Sequence, residues 1–356
     1  MKVPFRTAAV VAMAAGLAVP AAAQAKTKSM RMGPPAATQK KLMGSGVDAN
    51  AYFPSKLTIN VGDSVSFVPG GFHTANLPNK GGEDVLPLFA PNGTKVAGAT
   101  DAAGGPFWFN NQDNLGFNPA LLASTFGKKV SYNGKKRVES GLPLAPKPKP
   151  LTVKFTKTGT YYVYCDVHPG MKATVKVLKK GAKVPTAKQD KKAVKKQSAA
   201  AVKNAKGLAT KSQPANTVAV GVAGKGGLEY FGMVPGNLTV PAGTTVKFNM
   251  SKGSYEAHTA TFGPGNAETE PESYLGQIAA SFEAPVIDPK GVYPSDVTPV
   301  SISPALHGNG FWNTGVLDKA SATPLPDSAS VTFGTPGTYD YYCLIHPFMH
   351  GTVTVQ

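Results

Sequence analysis

Cysteine is scarce in this chain of 356 residues: there are two, Cys165 and Cys343, against 39 glycines and 31 prolines. A disulfide-stapled scaffold is thereby excluded, because two thiols close at most one bridge. Histidine is nearly as scarce, with six. Beyond the first twenty residues no apolar run approaches the roughly 20 residues of a membrane-spanning helix, so no transmembrane segment is expected. Acidic residues are also few, 20 against 37 basic ones, for a net charge of +17. The basic residues crowd into stretches without interleaved aromatics, so nucleic acid is not an expected partner.

What is present is a repeat. Tyr-Cys165-Asp-Val-His168-Pro-Gly-Met171 and Tyr-Cys343-Leu-Ile-His346-Pro-Phe-Met349 lie 178 positions apart, with His73 and His258 upstream of them. A thiolate, two imidazoles and a thioether are the set that suits copper cycling between two oxidation states, with Met as the weak axial ligand. Two such sets, His73, Cys165, His168, Met171 and His258, Cys343, His346, Met349, imply two coppers and two similar halves. A Cys165–Cys343 disulfide would leave both His and Met sets without a purpose.

Composition divides the chain further. A basic start, a short apolar run and Ala23-Gln24-Ala25 read as a secretory signal peptide over 1–25, which predicts an exported, periplasmic or extracellular protein of the cell envelope. Residues 26–44 read as a mobile basic arm, 45–178 as domain 1 and 217–356 as domain 2. Between them, 179–216 carries eleven Lys and one Asp and reads as a Lys/Ala-rich linker, a tether with transient helix at most. Within each half, short alternating stretches such as Lys56–Val61 and Ser64–Val68, or Asn237–Val240 and Thr244–Phe248, are punctuated by Gly and Pro turns. The pattern predicts an all-β protein of two antiparallel Greek-key β-sandwiches.

The segment from Gly337 to Val355 resembles the C-terminal end of amicyanin, in the plastocyanin group of small blue (type 1) copper proteins, and Gly159 to Met171 is a looser version. The resemblance implies an eight-stranded cupredoxin sandwich in each half and electron transport between redox proteins. It also implies that His168 and His346, the histidines nearest the surface in that family, are the exit points for electrons, with Pro347 and Phe348 in a docking patch. Two departures stand out. Each half carries an insertion, 76–148 and 263–327, and Thr74 and Thr259 stand where the family commonly has an Asn bracing the copper loops.

Catalysis is not expected, and the chain is read as no enzyme. Multicopper oxidases and nitrite reductases need a second centre of several further histidines, whereas only His307 and His350 are left over and Tyr164 and Tyr342 precede the cysteines. Copper storage or trafficking is the stronger alternative, since Met30, Met32 and Met43 in the arm could take up cuprous ion. Trp108 and Trp312 are expected to pin the insertions onto the sandwiches. The Lys-rich linker suits anionic envelope polymers, while residues 217–356 hold 5 basic and 11 acidic residues.

Overall fold

The computed structural model describes residues 25–79, 82–318 and 325–356, so the predicted signal peptide lies outside the described residues except for Ala25. Most of the regular structure is β-sheet. One pair of facing sheets belongs to the first half. Its first sheet has the order Tyr52–Phe53, Thr27–Met32, Ser64–Val68, Leu151–Phe155, Lys129–Tyr132. Its second has Val138–Glu139, Asn76–Leu77, Gly159–Tyr164, Lys172–Leu178, Lys56–Asn60. Strict alternation places Val65, Phe67 and Val153 of one sheet against Leu57, Ile59, Val163 and Val175 of the other, in one buried core.

The second half repeats the plan. Thr217–Gly224, Thr244–Met250 and Ser328–Phe333 face Asn237–Val240, Gly337–Tyr342 and His350–Val355 across a core built on Val246, Phe248, Val331, Tyr341 and Val353. Both halves mix parallel with antiparallel pairs. Thr27–Met32 runs parallel to Ser64–Val68, as Thr217–Gly224 does to Thr244–Met250. Purely antiparallel sheets were the expectation; the parallel pairs arise where the chain crosses to the facing sheet, through Lys56–Asn60 or Asn237–Val240, and returns, instead of turning back in a hairpin.

Three further expectations are corrected. Residues 26–44 are no mobile arm, because Thr27–Met32 is an interior strand with Met30 and Met32 wholly buried, and Ala36–Met43 is a helix. Residues 179–216 are no tether, because Ala187–Asn204 is a continuous helix. It starts in a capping box, in which Thr186 and Gln189 each satisfy the other's backbone. Gln197 on this helix accepts from Ser55 N (3.0 Å) and donates to Tyr52 O (2.8 Å), and Lys28 pairs with Asp190 at 2.8 Å. Finally, the boundary at residue 45 does not hold, because Val47–Ala49 extends the second half's sheet beside Leu228–Val234.

The insertions neither hang free nor pack only on their own sandwich. Val96, Phe107 and Phe109 of the first share a third core with Leu275, Ile278, Phe282 and Phe311 of the second. Trp108 donates to Pro294 O at 2.8 Å, which pins insertion to insertion. Trp312 does what was expected, lying buried against Phe248 and Phe262 in the second sandwich. A fourth core joins Ala201, Ala205 and Leu208 of the linker region to Leu42, Val47, Phe53, Val222 and Leu228. No helix among the described residues is long and apolar enough to cross a membrane.

Candidate metal centres

Each cysteine ends a strand on its core-facing register. Val163 and Cys165 continue one buried row, as Tyr341 and Cys343 do in the other half. A tight loop then turns back. Cys165 N donates to Met171 O (3.1 Å) and Met171 N to His168 O (2.9 Å); the second loop repeats this with Cys343 N to Met349 O (2.9 Å) and Met349 N to His346 O (2.8 Å). The loop therefore delivers a thiol, an imidazole and a buried methionine from seven residues. The upstream histidines, His73 and His258, come from just before the strands Asn76–Leu77 and Thr261–Phe262.

The structure brings the predicted groups together as two sets able to hold a metal ion, His73, Cys165, His168 and His258, Cys343, His346. In the first, Nδ1 of His73 and His168 are 2.9 Å apart, and Cys165 Sγ lies 4.0 and 3.5 Å from them. The point equidistant from these three atoms is about 2 Å from each, the bond length that a transition metal makes with imidazole. In the second, Cys343 Sγ stands 3.8 Å from His258 Nδ1 and 3.7 Å from His346 Nδ1. Met171 and Met349 are buried in the same cores as their cysteines.

The backbone N–H of Thr74 points at Cys165 Sγ (3.4 Å) and that of Thr259 at Cys343 Sγ (3.3 Å), which stabilises thiolate charge. The threonine hydroxyls tie the cysteine loops to the segments carrying the upstream histidines. Thr74 Oγ1 donates to Asp166 Oδ2 (2.7 Å) and accepts from Asp166 N (2.8 Å), while Thr259 Oγ1 accepts from Leu344 N (2.8 Å).

Outside each set stand carboxylates that the sequence reading missed. Glu229 Oε1 lies 3.7 Å from His258 Nε2, an ion-pair rather than a hydrogen-bond distance, and is held by Ser254 Oγ at 2.9 Å. Glu256 lies between the two sets, with Oε2 2.9 Å from His168 Nε2 and Oε1 3.7 Å from His346 Nε2. The only signal for it was an acid two residues before a ligand, and the repeat argued against it, since Gly71 holds that place in the first half.

Charge follows this geometry. Burial alone would raise the Glu256 carboxyl, but the neighbouring histidines, His168 foremost, bring it down to about 2. Burial would likewise raise the Cys343 thiol, yet contacts with His258 and His346 lower it to about 5. Burial would depress His258, and Cys343 and Glu229 outweigh it, raising the imidazole to about 10.

One expectation about exposure changes. His168 is only 5 % exposed, because the segment carrying Tyr255 and Glu256 covers it from the second half. His346 keeps partial exposure beside Phe231 (5.0 Å between ring centroids) and Phe348, which is 54 % exposed. The two remaining histidines are apart from both sets. His307 bridges Asp101 (3.1 Å) and Asp296 (3.2 Å) between the insertions, and His350 is exposed beside Tyr342.

No protein-family model and no curated protein matches the chain. Among solved structures, the oxidised plastocyanin of Dryopteris crassirhizoma is 22% identical, over 39% of this chain and 99% of that one, with a TM-score of 0.21. A purple cupredoxin from Nitrosopumilus maritimus is 20% identical over 39% of this chain and 98% of its own, TM-score 0.20. A Cu(I) amicyanin variant is 19% identical over 42% and 90%, TM-score 0.22. Similarity at that level carries no functional argument.

Proposed function

We propose that the chain is an exported electron carrier of two cupredoxin-like domains in tandem, with a type 1 copper site in each and no catalytic turnover of its own. The observation that carries this reading is the pair of His-Cys-His triangles, buried except for the partly exposed His346, each with a methionine in the same core and an N–H-braced loop. Copper held there would supply a one-electron couple. His73 and His258 fix one corner of each set from the segments that lead into the strands Asn76–Leu77 and Thr261–Phe262; the loops hold Cys165 with His168 and Cys343 with His346 at the others. The threonine N–H groups stabilise the thiolates, and the surrounding cores bury both cysteines completely.

The storage alternative loses its main support, because Met30 and Met32 are locked in a strand. His307, the spare imidazole nearest to being buried, is occupied by two aspartates. Lys188, Lys191, Lys192, Lys195 and Lys196 remain exposed on the linker helix, suited to anionic envelope polymers. The test is a visible spectrum with metal analysis. Cys165→Ser and Cys343→Ser should each remove about half of the intense thiolate-to-copper absorption, consistent with thiolate as the colour-giving ligand. Colourless cuprous binding would favour storage instead.

A further inference from the structure

The electron-exit role implied for His168 does not fit a side chain buried by the other half. What His168 faces instead is Glu256. Its Nε2 lies 2.9 Å from one carboxylate oxygen, and the other oxygen lies 3.7 Å from Nε2 of His346. Both histidines turn Nδ1 toward their own cysteine, at 3.5 and 3.7 Å, so each imidazole spans from a ligand set to the same carboxylate. Asn50 Nδ2 donates to Glu256 Oε2 at 3.3 Å, and Tyr255 packs beside Gly170 of the first loop, which fixes the carboxylate in place. His168, Glu256 and His346 also line one cavity of about 460 Å³ between the halves, walled by Phe89, Phe117 and Phe231.

Resting on the copper reading above, we propose that Glu256 joins the two sites in series. His346, beside exposed Phe348, is the port for an external one-electron redox protein, and the first site exchanges electrons through His346, Glu256 and His168. With copper held in both sets, one electron would pass between them, one site being oxidised as the other is reduced, with no bond broken and the Nε2 protons left on their rings. Bonded and hydrogen-bonded atoms carry an electron better than an equal gap does, so the 2.9 Å contact of Glu256 with His168 is the short step and its 3.7 Å approach to His346 is the one through-space step.

The experiment uses the full chain loaded with copper. Copper content and the blue band first establish occupancy, and dipolar broadening between the two cupric signals establishes proximity. A photoexcited one-electron reductant is then added below stoichiometry, and redistribution between the sites is followed. The expected result is an internal phase whose rate does not depend on protein concentration. Because partners of metal ligands also tune affinity, the variants are compared at full copper loading in excess copper: Glu256→Leu should slow the internal phase about tenfold or more, whereas Glu256→Gln, which keeps a bridging group, should stay within about threefold of wild type. An internal rate unchanged in Glu256→Leu overturns the proposal. If that variant fails to load, the wild type alone decides: two coupled coppers with no internal phase also overturn it. Failure to bind two coppers would instead bring down the copper reading itself.

Discussion

At the residue scale, the eight proposed ligands were legible because chemistry dictates them: few side chains other than Cys, His and Met make this set, and the repeat doubled the signal. Their outer partners were not, because a carboxylate beside a histidine has no sequence signature of its own. The close approach of backbone to ligand was equally hidden. Gly221, at φ +77°, sits where an added Cβ would come 2.5 Å from His258 Nε2 and 2.6 Å from Glu229 Oε1. Gly221→Ala should therefore displace His258, cost about 1–3 kcal/mol by overpacking, and remove copper from the second site while the first keeps its colour. Metal analysis with a melting curve checks this, and a variant retaining two coppers and its melting temperature would show that the cradle yields.

At the scale of elements, alternation found the central strands of both sandwiches, whereas composition misled. Eleven lysines between 179 and 216 drew attention from the capping box at Thr186 and Gln189, and the helix buries little beyond alanines, so its apolar face was faint. Thr27–Met32 was missed for a related reason: Met30 and Met32 alternate correctly, but within a basic stretch. The insertions meet where His307 lies between Asp101 and Asp296, with Nδ1 3.1 Å from one carboxylate and Nε2 3.2 Å from the other. Burial would raise the Asp101 carboxyl, but the His307 contact and the N–H groups of Gly105 and Ala103 hold it below its ordinary 3.8. A carboxyl held lower in the folded than in the unfolded chain contributes stability that is fully present above the unfolded value and is lost as pH falls through the folded one. Asp101→Asn should thus melt below wild type at pH 7, with the gap closing as pH drops below 3.8. A gap that persists or widens in acid would mean the ion contact is not what the substitution removes.

At the scale of the molecule, two independent beads on a tether give way to halves that share a strand, a linker helix and two cores. Residues 217–356 expressed alone would lose Val47–Ala49 from their sheet and uncover Val222, Leu228, Ile278 and Phe311. Burial is worth about 1.5–3 kcal/mol for each large apolar side chain, so the fragment should melt well below the full chain or aggregate. A fragment as stable as the whole would show that the shared cores contribute little. The central claim, one copper within each His-Cys-His triangle, is met most directly by anomalous X-ray scattering at the copper edge from crystals of the blue protein. Two peaks should appear, one bounded by His73 Nδ1, Cys165 Sγ and His168 Nδ1, the other by His258 Nδ1, Cys343 Sγ and His346 Nδ1. A single peak, or peaks away from these triangles, would contradict it.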